Sequence, residues 1–149
     1  MKKIIALGVI VLSMNTNASC TEDFDKGLNY FEFAMTYFND GANNYQQAVD
    51  ESRSQGRRSV ICSHLLKSTT GFDVAQKSFS DCGVHFGAAA ISCSGESSQI
   101  ARENSGVCAE NTEVATNNYQ QIAQLLRNTC FTSEKKAIEM ELPEIQTNL

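Results

Sequence analysis

The apolar residues Phe24, Leu28, Phe31, Met35, Phe38, Ala42, Tyr45 and Val49 recur at alternating intervals of four and three, the spacing that keeps side chains on one side of a long helix packed along others. The pattern crosses Asn39, Asp40 and Gly41 without a change of phase, although those three residues in isolation read as a turn. A glycine inside a helix costs about 1 kcal/mol relative to alanine, whereas each large apolar side chain of the seam contributes about 1.5–3 kcal/mol when buried. The helix is therefore expected to continue through Gly41, from a start near Thr21, whose hydroxyl is able to cap the first turn, to an end near Gly56.

The same reasoning places a second helix over 58–68, with Ile61, Cys62, Leu65 and Leu66 on one side and Thr69, Thr70 and Gly71 closing it. A third, over 72–93, repeats the three-and-four spacing with Phe72, Ala75, Phe79, Cys82, Phe86, Ala89 and Cys93. Gly83, Gly87 and the run Ala88, Ala89 and Ala90 leave room there for another backbone to come close. A loop is expected at 94–97, a helical turn over 98–104, a break at Ser105 and Gly106, and a fourth main helix over 108–129. That helix presents Cys108, Ala115, Tyr119, Ile122 and Leu126 to the core. The tail, 132–149, is acidic, alternates apolar and polar residues from Ile138 to Leu142, and reads as an extended, loosely attached segment. Because the third and last helices carry stripes that match the first, the first helix's apolar side is expected to be covered within the chain, without a dimer.

The ends change this picture. Met1 to Lys3 form a short basic start, and Ile4 to Met14 an apolar run followed by Asn15, Thr16 and Asn17, the layout of a secretory signal peptide over 1–18, cut after Ala18. The apolar run is about half the roughly 20 residues that a membrane-spanning helix needs. The rival reading makes Cys20 a lipid-anchored first residue. Asn17 stands where such processing expects an aliphatic residue, and acylation would leave five cysteines, an odd number. Six cysteines in an exported chain of this size read as three disulfides, formed in the periplasm or outside the cell. The mature domain is expected over 19–131. Pro143 is its only proline, counting the tail, so little interrupts helices and no linker divides the chain. The fold class expected is all-α: a small disulfide-stabilised bundle of about four main helices.

Without the leader, ten basic residues face seventeen acidic ones, a formal charge of −7. Nucleic acid and other polyanions are poor partners for such a chain. The pairing expected from neighbouring hairpins is Cys62 with Cys82, Cys93 with Cys108, and Cys20 with Cys130. A Cys2His2 metal site of Cys62, His64, Cys82 and His85 fails on spacing, because residues two apart point to opposite sides of a helix. No metal or other cofactor is expected. The pentapeptide Asn43 to Gln47 recurs as Asn117 to Gln121, yet neither the cysteines nor the flanks follow this offset, so two helices of similar surface composition explain it better than a duplication.

No nucleophile elbow, zinc-protease motif, C-x-x-C or phosphate loop is present, and no catalytic residue is assigned. Function is therefore expected to be non-catalytic binding of a macromolecular partner in the cell envelope, by an interaction module or an inhibitor or immunity-type protein. The outward residues Asn39, Asp40, Asn43 and Asn44 are the candidate surface. An alternative is a carrier of an apolar small molecule in a cavity between helices, suggested by the phenylalanine and methionine seam and the small residues around Gly87, against the plainer reading that Phe31, Met35, Phe38, Phe79 and Phe86 fill the core; a third is an enzyme with no recognisable motif.

Overall fold

A computed structural model describes residues 18–131, 145–147 and 149. The expected leader, apart from Ala18, and most of the tail lie outside the described residues. Three long helices make up the fold: α1 (Ala18–Arg53), α2 (Arg58–Ser92) and α3 (Gly95–Cys130). The chain is all-α as expected, with three main helices in place of four. None of them is long and apolar enough to cross a membrane.

The two expected interruptions are absent, for separate physical reasons. At the first, Thr69 and Thr70 turn their hydroxyls back onto the carbonyls of Leu65 and Leu66, at 2.8 and 3.0 Å, so their polar groups are satisfied inside the helix. Gly71 is buried against α1, where a Cβ would stand 2.8 Å from the Cα and N of Gly41 and 2.9 Å from the carbonyl oxygen of Tyr37. This glycine serves a close helix crossing. At the second, Ser105 donates across to the Gly83 carbonyl of α2 at 3.0 Å, and Gly106 faces open space, so it adds only its propensity cost of about 1 kcal/mol. A helix packed along its length on one face carries that cost. At the start, α1 already includes Ala18, so Thr21 lies inside the helix and caps nothing.

Two antiparallel interfaces hold the bundle, α1 against α2 and α2 against α3; the α1 and α3 backbones come close at few points, and buried side chains of all three helices share the larger core cluster. The α1–α2 seam is aromatic. Phe24 meets Phe86, Phe31 meets Phe79 and Phe38 meets Phe72, with ring centroids 5.2, 5.7 and 5.1 Å apart; each step of seven along α1 is a step of seven back along α2. Beside the rings runs a column of small buried residues at the same interval, Cys20, Gly27, Ala34, Gly41 and Ala48, which lets the rings reach across to the facing backbone. A Cβ on Gly27 would stand 2.9 Å from the Phe86 ring. The α2–α3 seam is polar and small by comparison. Ser98 donates to the Ala90 carbonyl at 2.6 Å, Thr116 to Gln76 Oε1 at 2.9 Å, and Arg58 Nε to the Thr129 carbonyl at 2.7 Å.

Three disulfides are present, as expected in number but not in pairing: Cys20–Cys93, Cys62–Cys130 and Cys82–Cys108, with Cα separations of 4.9, 5.8 and 5.9 Å. The expected pairing rested on a turn between Cys62 and Cys82. With α2 continuous, those cysteines lie about 30 Å apart on one rod. Because α1 and α3 both run antiparallel to α2, Cys20 lies at the end where α2 meets α3, whereas Cys130 lies at the opposite end, beside Cys62. No free cysteine remains, and cross-links of this density fit an oxidising, extracytoplasmic setting. The Cys20 sulfur is paired with Cys93.

Candidate functional site

The outer side of α1 carries a pair of exposed aromatic residues. Tyr30 and Phe33 are 36% and 49% exposed, and together with Lys26 and Asn29 they line an open hollow of about 380 Å³. Both rings are held. Tyr30 stacks on His85 of α2 with centroids 5.2 Å apart and planes within 9°, and Phe33 leans on Tyr37 at 4.7 Å. His85 Nδ1 also lies 3.9 Å from Asp23 Oδ1. Aromatic side chains fixed by neighbours lose little entropy when a partner covers them, which suits them as anchors.

Acidic residues flank this patch. Glu22, Asp25, Glu32 and Asp40 are exposed on α1, and the cation beside the rings, Lys26, is held by Glu22 at 2.6 Å. That hydrogen bond, reinforced by the pair's opposite charges, lowers the Glu22 pKa and raises that of Lys26. The patch therefore presents aromatic surface with a negative border.

The expected surface lies further along the same helix. Asn39, Asp40 and Asn43 are exposed and Asn44 is half-buried, its amide donating to the Asp40 carbonyl of its own helix at 2.8 Å. The structure does not bring these residues together with a second element. Sequence reading passed over Tyr30 and Phe33, which stand outside the four-and-three seam. Their spacing with Tyr37 was the available signal: positions 30, 33 and 37 form a second aromatic stripe on the same helix.

The two histidines stay apart from any metal arrangement. Cys62 and Cys82 are consumed in disulfides, His64 is half-buried with Nδ1 enclosed and unbonded, and His85 lies under Tyr30. Among the described residues no group of three or more His, Cys, Asp or Glu side chains is placed to hold a metal ion. Phe38, Phe79 and Phe86 are fully buried in contact with other rings and fill the core.

The repeated pentapeptide has two different surroundings. Tyr45 is buried, which pushes its phenol pKa up to about 12, whereas Tyr119 is half-buried and Asn118, beside it, is the buried residue. The inward face is turned by one residue, about 100° of helix, so the two tyrosines do not mark equivalent surfaces. Comparison with protein-family models, curated proteins and solved structures found no match for this chain.

Proposed function

We propose that this is an exported, non-catalytic binding module that engages a basic protein in the cell envelope or outside the cell through the outer side of α1. The observation that carries the reading is the exposed pair Tyr30 and Phe33, each braced by a neighbouring ring and bordered by carboxylates. Exposed aromatic surface of this kind is the usual core of a protein contact, and the surrounding acidic charge steers a basic partner toward it. Long helices tied by three disulfides supply the rigidity such a contact uses. An inhibitor or immunity-type protein is one form of the same reading, with Asn39, Asp40, Asn43 and Asn44 extending the surface toward the middle of the helix.

The test is recovery of a partner from an envelope extract on the immobilised protein, run in parallel with Phe33→Ala and repeated at high salt. A partner is expected on the unaltered protein, lost on Phe33→Ala and weakened by salt. Failure to recover any partner at either salt concentration, or equal recovery on Phe33→Ala, overturns the assignment.

A further inference from the structure

The formal charge of the whole chain hides a reversal at one end of the bundle. Four of the five arginines, Arg53, Arg57, Arg58 and Arg127, gather where α1 ends, α2 begins and α3 ends, and all four are exposed. The Cys62–Cys130 disulfide and the hydrogen bond from Arg58 Nε to the Thr129 carbonyl tie the end of α3 to the start of α2. Among the described residues the carboxylates near this end are Asp50 and Glu51, and Glu51 is half-buried with its side chain folded against Gly56. At the opposite end Glu22, Asp23, Asp25, Glu96 and Glu103 outnumber Lys26 and Arg102.

Local folding accounts for half of the arginine cluster. Arg53 and Arg127 lie in the last turns of α1 and α3, where a cation suits the helix dipole. Arg57 and Arg58 stand at the start of α2, the end of a helix that disfavours cations, and its first turn has neither an acidic residue nor a capping side chain to offset them. Arg58 is engaged with Thr129, but the guanidinium groups of Arg53 and Arg57 make no hydrogen bond or ion pair among the described residues. Phe131, which follows α3 at this end, is 75% exposed, belongs to neither core cluster and meets no other ring among the described residues.

We infer that this end of the bundle docks on an anionic phospholipid surface, the arginines holding headgroup phosphates and Phe131 entering the boundary of the acyl chains. Guanidinium groups take phosphate oxygens in pairs, and an apolar ring set among cations is the composition of an interfacial anchor. A lipid layer closes around a single projecting ring, whereas an acidic protein needs a pocket shaped to it. The acidic remainder of the chain does not oppose the contact. Beyond Asp50 and Glu51, the next described carboxylates along α1, α2 and α3 are Asp40, Asp73 and Glu113, each about 20 Å of helix from the arginines. That exceeds the screening length of about 8 Å at physiological salt, so a surface meeting the bundle end-on senses the arginines first. Tyr30 and Phe33 lie about 30 Å or more further along α1 and stay uncovered, so this docking does not depend on the α1 reading.

The test uses the chain from Ser19 to Leu149, without the apolar run of residues 4–14, and vesicles of phosphatidylcholine alone or mixed with phosphatidylglycerol. Sedimentation with the mixed vesicles is expected, weakened by salt, with little on phosphatidylcholine alone. Arg57→Gln should weaken binding about five-fold, the equivalent of about 1 kcal/mol for each basic residue near an anionic surface, and Phe131→Ala by about ten-fold or more. Because the chain has no tryptophan, Phe131→Trp supplies a single probe. Its emission should shift to the blue on the mixed vesicles and be quenched by brominated acyl chains, while binding is kept. Both positions are exposed, and helical circular dichroism on each variant ensures that losses are read on folded protein. Equal binding to both kinds of vesicle, binding unaffected by Arg57→Gln and Phe131→Ala, or tryptophan emission that does not change on bound vesicles overturns the inference. Displacement by inorganic phosphate beyond that by chloride at equal ionic strength, or binding of polyglutamate but not of vesicles, overturns the assignment to lipid. Phe33→Ala should leave vesicle binding unchanged, so failure here and failure of the α1 reading are told apart.

Discussion

The two faces of α2 are built on different physics. Toward α1 it meets phenylalanine on phenylalanine, with glycines letting the helices close until Gly71 lies against the backbone of Gly41. Toward α3 it meets Cys108, Ser105 and Thr116 through a disulfide and side-chain hydrogen bonds, and a Cβ on Gly83 would find its nearest atom at a comfortable 3.7 Å. Apolar burial scales with the area taken from water and needs no partner of a particular kind, so the aromatic face holds by shape. The second face adds hydrogen bonds, each worth typically about 1 kcal/mol net, and two disulfides to the burial of smaller apolar residues of α3 such as Ala101, Ala115 and Ile122.

The sharpest way to break this contrast is to empty the aromatic seam. Phe79 touches both Phe31 and Phe38, and Phe79→Ala is expected to cost about 3–5 kcal/mol through lost burial and the cavity left behind, read as a lower urea midpoint at unchanged slope. Next comes a matched glycine pair. Gly71→Ala has only backbone to push against and should destabilise by about 1–3 kcal/mol. Gly83→Ala, on the other side of the same helix, should be neutral or stabilise by up to about 1 kcal/mol, because alanine favours helix and the space exists. Equal effects at the two glycines would refute the difference in closeness that separates the faces.

The smallest effect belongs to the polar side. Lys77 bonds to Asp73, Gln76 donates to Asp73, and Gln76 in turn accepts from Thr116 of α3. The hydrogen bond from Lys77, assisted by Gln76 and opposed by burial, lowers the Asp73 pKa from its ordinary 3.8. A lowered carboxyl pKa stabilises the fold above the ordinary value, and that contribution is lost as pH falls through the lowered one. Lys77 is largely exposed, so solvent screens the pair. Asp73→Asn should cost no more than about 0.5 kcal/mol at neutral pH, and the difference from the unaltered protein should vanish on acidification below the lowered pKa, as thermal melts over a pH series will show.

Much of the architecture could be read from residue order. The spacing of Phe24, Phe31, Phe38 and Tyr45 marked α1 correctly through Gly41, and the matching stripe of Phe72, Phe79 and Phe86 marked the helix that covers it. The same reading treated Gly71 as a stop, because a glycine after two threonines is a local signal for a helix end. Whether it ends a helix or admits a neighbour depends on what lies across from it, and Gly41 is thirty residues away in the chain. The patch of Tyr30 and Phe33 was also passed over. Its regular spacing was visible, but the side of the helix left open was not.

What the sequence alone determined is the class of structure: helices, because apolar residues recur at helical intervals with almost no proline, and three cross-links, because six cysteines pair completely. The tertiary structure alone decided which cysteines meet, and which pentapeptide buries its tyrosine and which its asparagine. Helical periodicity is a property of neighbours along the chain and survives in any packing. Pairing and exposure depend on the register and rotation of distant helices, which differ by a single residue between Asn44, bonded to its own helix, and Asn118, closed around another segment.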